Sequence, residues 1–522
     1  MANKFILNQE DGTVEGGDTR GTGSVDLQTS RTAADQVASG VRSAILFGQN
    51  NKASGTDSMA GGFGTTASNQ RSVAFGYNSI SSGQNSFVGS GYSSTASGTH
   101  SFAFGHTNNA SGYISGAMGQ GNTTSSSWSF ALGINNTVSS NYSVVSGGES
   151  NTVSTGTHAT VVGGKDNTSS GQYSISGGYS NTASGTGGVA LGYNNTVVDG
   201  IAIGYGNEAR DYYSFAGGYN NTARGSNSTA FGYQNDATGG SSVVSGGYDN
   251  SATSTYATVV GGRDNASSGQ YSVSGGRNTT ASNYGSVAIG IQSLASGYNS
   301  IALSGGTASG TRSVLVGRGT SQGDGSVSIG SYNNAIAGRS VAIGDGNNAI
   351  GGSSTAIGTK SIAYLRGQFA IGYDFWLNTP TKVQYSTVMS KKQDTLTTGD
   401  TTVLSLDGSG TTNLIIPDGN NRAWNVTVEY VGVCTAAGSG TTAVGDVVTG
   451  TDKFRFKRVG GTSTIGSVTN IELTQDATMT SAECTYTVGG SNDLQISFTA
   501  PTTANATTFK VVANVSLVEV AW

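Results

Sequence analysis

The sequence is short of the residues that build most compact domains. Of its 522 residues only 3 are proline, 2 are cysteine and 3 are histidine, and 11% are charged. It holds no apolar run of about 18 residues, so no transmembrane helix and no membrane insertion is read from it. The start, Met1-Ala2-Asn3-Lys4-Phe5-Ile6-Leu7, has an apolar run of three, which is not a signal peptide. Cys434 and Cys484 are therefore expected to be free thiols rather than a bridge. A net charge of −5 without a basic run gives no footing for nucleic acid. Low charge with low hydrophobicity would point to disorder. What the chain has in abundance argues otherwise: 83 glycines, most of them in strict order.

One phrase recurs, as Ser72-Val73-Ala74-Phe75-Gly76, Ser129-Phe130-Ala131-Leu132-Gly133 and Ser340-Val341-Ala342-Ile343-Gly344. Its closing glycine recurs about every 14 residues from Gly48 to Gly372, with Ser304 in its place once. Such a period marks a solenoid. Within the phrase Ser72, Ala74 and Gly76 face one way and Val73 and Phe75 the other, which is a short strand. A second phrase follows, as Asn51-Lys52-Ala53-Ser54-Gly55 and Asn181-Thr182-Ala183-Ser184-Gly185. It offers one inward alanine and a glycine corner. One coil is two short strands and two tight turns, rising by one ladder spacing of ~4.8 Å. Steps of 15 or 16 residues, as from Gly148 to Gly164, are expected to be taken up in the turns.

A coil this small encloses only Ala, Ser, Gly and Thr. The large residues Val73, Phe75, Phe104, Leu132, Val287, Ile289, Val341 and Ile343 then form an apolar stripe outside it. Three chains around an axis would bury such a stripe. The phrases resemble the head repeat of trimeric autotransporter adhesins, over about Ala38 to Gly372. That resemblance implies a left-handed parallel β-roll wound as a homotrimer.

Four parts are expected: residues 1–36 as an N-terminal attachment segment or cap, 37–372 as the β-roll, 373–394 as a connector, and 395–522 as an antiparallel β-sandwich. Tyr373-Asp374-Phe375-Trp376 is bulky enough to plug the end of the roll. All 3 prolines lie beyond it, and only 14 of the 83 glycines do. Ordinary strands are read at Thr402–Leu406, Asn413–Ile416, Trp424–Val431, Phe454–Arg458, Leu494–Phe498 and Phe509–Val520. This order of parts resembles tailed-phage fibres, with Asp493–Phe498 and Val511–Val515 where such domains carry a closing hairpin.

No catalytic, cofactor or metal site is read. Glu149 and Glu208 are the roll's only glutamates and lie several coils apart, whereas glycan cleavage needs paired carboxylates. Asp166, Asp249 and Asp264 do not recur in every turn as calcium-binding β-rolls require, so they are assigned to turns. His100, His106 and His158 are given no metal. Tyr77, Tyr179, Tyr193, Tyr219, Tyr233, Tyr248 and Tyr332 should stack in a ladder, on each other rather than on sugars. The fibre resemblance implies a non-enzymatic structural protein of the virion, made in the host cytoplasm. It would attach to a tail or baseplate protein by its N-terminus. Its C-terminal domain would meet a host surface glycan or protein through Cys434 to Thr451 and Gly460 to Val468. A bacterial trimeric-autotransporter-type adhesin and a capsid-attached fibre are the alternatives. The alternating end Val515–Trp522 would also suit an outer-membrane strand.

Overall fold

The computed structural model describes residues 19–373, 383–397, 399–405, 422–489, 494–502, 504 and 506–521. They divide into two units along the chain, one ending at Gly262 and the other beginning at Arg263. Their regular elements are strands apart from the 3-10 turn Ala477–Met479, and the described residues hold about 23 turns of parallel β-solenoid.

In the first unit most coils have a long strand and a short one, as in Phe102–His106 with Asn109–Ala110 and Val189–Tyr193 with Thr196–Val197. Like pairs with like, in parallel and in register: Gly192 with Gly204, Gly204 with Gly218, Gly218 with Gly232. The phrase explains itself at this level. Its alanine points inward, and Ala190, Ala202, Ala216 and Ala230 stack against Val197, Ala209, Ala223 and Ala237, all fully buried. Its serine closes the corner: the Ser101 hydroxyl donates to Gly98 O at 2.7 Å and Ser174 to Gly171 O at 2.7 Å. Its glycine is obligatory, because Gly204 has φ +120° and a Cβ there would lie 2.2 Å from the Gly218 carbonyl oxygen.

The asparagine of the second phrase is not a turn residue but the third column of the interior. Asn195 is fully buried. Its Nδ2 donates to Asn181 Oδ1, Leu191 O and Gly204 O at 2.8–2.9 Å, and its Oδ1 accepts the Asn207 N–H at 2.8 Å. The bond to the next coil's glycine carbonyl repeats at Asn108, Asn122, Asn136, Asn151, Asn167, Asn181, Asn221 and Asn235. Each amide satisfies backbone groups at the corner that no strand partner reaches.

Two expectations are revised here. Longer steps are not taken up in turns alone: the register shifts inside the long strands, between Ala74 and Gly76 and between Val161 and Gly164, as β-bulges. The stack also begins before residue 37. Val25–Asp26 pairs in parallel with Ala44 and Ile45. In that first coil Arg20 pairs with the buried Asp26 at 3.2 Å, and Gln28 Oε1 accepts the Asn51 N–H at 2.9 Å, closing the asparagine column. Of the expected N-terminal segment, residues 1–18 lie outside the described residues, and 19–36 cap the roll with polar groups.

The second unit carries the coils from Val273–Arg277 to Phe369–Tyr373. Leu315 stands where alanine is usual, and Gly306 makes room for it. The last long strand then pairs antiparallel with Val383–Leu396. That strand pairs with Thr507–Ala521, which pairs with Arg422–Ala436, which pairs with Val447–Val459. Thr462–Ile465 and Thr469–Gln475 form the far edge. A separate antiparallel sheet joins Thr401–Val403, Leu494–Thr499 and Glu483–Val488. Both sheets feed one buried cluster, including Trp424, Tyr430, Phe456, Ile496, Phe498 and Phe509.

Val383–Leu396 runs through the expected boundary at 395 as one strand. Leu494–Thr499 and Thr507–Ala521 belong to different sheets, so they are not a closing hairpin. The strand read at Asn413–Ile416 and the plug residues Asp374, Phe375 and Trp376 lie outside the described residues. At the end of the roll Gln384 bonds both the N–H and the carbonyl of Ile362, each at 2.7 Å.

Candidate functional site

Three surfaces stand out, and each follows from what the coil turns outward. The first is the apolar row. The long strand must point every second side chain away from the narrow interior, and those residues are large. Leu132 and Ile289 are exposed, and Val73, Phe75, Phe104, Val287, Val341 and Ile343 are half-buried. Within the row glycine alternates with phenylalanine. A Cβ on Gly89 would lie 2.2 Å from the Phe104 ring, and one on Gly116 2.2 Å from the Phe102 ring. In the second unit the row passes from Phe369 and Ile371 onto the antiparallel sheet, where Tyr385 pairs with Ile371 and Val518 pairs with Tyr385.

The second surface is aromatic. Phe63, Tyr77, Tyr92 and His106 stack with ring centres 4.9–5.0 Å apart. Tyr179, Tyr193, Tyr205, Tyr219, Tyr233 and Tyr248 stack at 4.7–5.0 Å. The expected ladder is thus present, with Tyr205 as an added rung and Tyr332 in the other unit. A second column at the opposite corner, His100, Tyr113, Trp128, Tyr142, His158 and Tyr173, was not foreseen. Its signal is recurrence every 13 to 16 residues, hidden because three different residue types share the place. In the stacked columns each face is covered by the next ring, which leaves edges for a ligand rather than faces.

The polar residues of the roll serve structure. Asp166, Asp249 and Asp264 sit at corner positions with φ of 58°, 54° and 58°. The asparagines beside them, Asn167, Asn250 and Asn265, are buried. Glu149 meets Lys165 at 3.2 Å; Glu208 meets Arg224 at 2.7 Å and also Arg210. Among the described residues no three His, Cys, Asp or Glu side chains gather as a metal site, and no helix is long and apolar enough to cross a membrane.

The third surface is terminal. Cys434 and Ala436 end a strand, so the first expected loop narrows to residues 437–446. Asp446 holds it: its carboxylate accepts the Thr478 hydroxyl and the Ala443 N–H, and both bonds lower its pKa. The second expected loop contains the strand Thr462–Ile465. Beside it lies a groove of about 560 Å³ lined by Asn425, Lys453, Arg455, Lys457, Thr464 and Ser467. Beneath, Cys434 and Cys484 are buried free thiols. Burial raises the Cys484 thiol and the Tyr486 phenol, whose hydroxyl donates to Asp452 at 2.7 Å.

The family described as the YadA head domain repeat matches residues 47–65, 67–87, 88–113, 169–195, 198–221, 223–248, 267–291, 281–303 and 321–347. These segments are similar to that head repeat. The in-register glycines and the inward alanines are the structural content of the head repeats. No curated protein matches the chain. Two solved structures are similar at 10% identity: the tailspike protein of Acinetobacter phage vB_ApiP_P1 and that of Acinetobacter baumannii phage AM24. The first alignment covers 95% of this chain and 80% of the tailspike, with a TM-score of 0.18. The second covers 97% and 74%, with a TM-score of 0.17. At these values neither likeness carries anything over to this chain.

Proposed function

We propose that the chain is a homotrimeric, non-enzymatic fibre of a virion whose C-terminal sheets, packed as a sandwich, meet the host cell surface. The observation that carries the trimer is the apolar row, which each unit carries on its own coils and which in the second unit passes onto Tyr385 and Val518 of the terminal sheet. A row of this kind is stable in water when partners cover it. Three copies around one axis cover it on every chain alike.

Phe509, Val511, Ala513, Val515 and Leu517 support a fibre over an outer-membrane anchor. They belong to one buried cluster with Ile496 and Phe498 of the other sheet, whereas an anchor strand turns its apolar face to lipid. Glu149 and Glu208 are each engaged by cations, which supports a role without catalysis. The polar first coil suits a cap next to an attachment segment.

The test is the oligomeric state of the full chain by light scattering, with and without Phe75→Asp. The expected result is a trimer that the substitution converts to aggregate. A well-behaved wild-type monomer would overturn the reading. Adsorption of the chain to host cells, lost on exchange of residues 437–446 or 460–468, tests the binding end.

A further inference from the structure

The outer face of Val447–Val459 carries a row of cations. Lys453, Arg455 and Lys457 are exposed, and between them Phe454 and Phe456 point into the core. Alternate residues of a strand lie ~7 Å apart, so the row is straight and spans ~13 Å. Among the described residues none of the three makes an ion pair. In a chain of net charge −5 this is a local reversal of sign.

The row forms the floor of the terminal groove. Asn425 stands opposite Arg455 on one side, and Thr464 opposite Lys457 on the other. Gly466 to Thr469 make a wall, pinned where the Gly466 N–H donates to Arg455 O at 2.7 Å. The lining therefore joins three cations to the amide of Asn425 and the hydroxyls of Thr464, Ser467 and Thr469. Glu429 and Glu472 come later on the same face, each opposite Thr451, and bound the row at one end.

We propose that this groove binds an acidic polysaccharide of the host envelope, one that carries carboxylates along a linear chain. The cations would meet the carboxylates, and the amide and hydroxyls the sugar hydroxyls. The lining has no exposed aromatic ring on which a nucleobase could stack, which separates the site from a nucleic-acid groove. The proposal rests on the host-binding reading above and names its ligand class. Three copies in a trimer would act together on one polymer.

The experiment titrates the full-length protein with alginate, dextran and single-stranded DNA at low and physiological salt, alongside the triple variant Lys453→Gln, Arg455→Gln, Lys457→Gln. The single variant Arg455→Gln guards against a folding defect, and circular dichroism reads the fold of each. The expected result is alginate binding that weakens at least tenfold in the triple variant and falls with salt. Equal binding of dextran or DNA, or unchanged alginate binding by the triple variant, would overturn the proposal. Adsorption to bacterial envelopes separates the two readings. If the wild type and triple variant adsorb alike, the groove proposal fails and the host-binding reading stands. If the wild type does not adsorb, both fail.

Discussion

The roll and the terminal sheets are both β-structure, yet they are held together by opposite means. The roll buries alanine, serine and asparagine and turns its large residues outward. The terminal sheets bury Trp424, Phe456, Phe498 and Phe509. In the roll the backbone of one coil is seated against the next, so glycine and amide geometry decide stability. In the sheets apolar volume decides it. The first design leaves an apolar row to share with partners; the second encloses its own core.

Substitutions should separate the two designs. The largest effect is expected at an anchor glycine. Gly204→Val would force a Cβ against the Gly218 carbonyl at a positive φ, and should cost about 5 kcal/mol or more. Gly187→Ala, where φ is +69° but nothing lies within 4 Å, should cost about 1 kcal/mol. Denaturant melts of both variants give the contrast, and equal costs would break it.

Next comes the sheet core. Phe498→Ala should cost about 3–5 kcal/mol and loosen the terminal region while protection of the roll against proteolysis persists. Loss of roll protection in the same variant would mean that the two regions do not separate.

The asparagine column should follow. Asn195→Leu leaves the Leu191 and Gly204 carbonyls and the Asn207 N–H without their partner, a loss of about 3 kcal/mol. Asn195→Thr should cost less, because Thr65 and Thr279 already fill equivalent places and donate to Asn51 and Asn265. Reversal of that order in thermal melts would count against the column's role.

The smallest effect concerns Asp452. Burial raises its pKa, while the Tyr486 hydroxyl opposes the rise. A raised acid stabilises the fold most when protonated, and that contribution is lost as pH rises through the folded-state value. Asp452→Asn should therefore stabilise at pH 7 and change nothing below the ordinary carboxylate pKa. Denaturation midpoints at pH 3 and pH 7 check the sign.

The sequence alone determined the coil. A period near 14, an inward Ala and a closing Gly leave few ways to stack a chain, although the interior also admits Val138, Val161, Val197 and Leu315, which the small-residue expectation did not include. The outward row of Val73, Phe75 and Leu132 followed from the same alternation. In the terminal region the alternation of Trp424, Val426, Val428 and Tyr430 marked a buried face in advance. The tertiary structure decided what depends on neighbours distant in sequence. It made Asn195 part of a buried column, since the Asn181 amide, the Gly204 carbonyl and the Asn207 N–H that it bonds lie on adjoining coils. It joined His100, Tyr113 and Trp128 edge to face in one column although no letter repeats. It also placed Leu494–Thr499 and Thr507–Ala521 in separate sheets, a choice of pairing that local pattern does not specify because both strands alternate equally well.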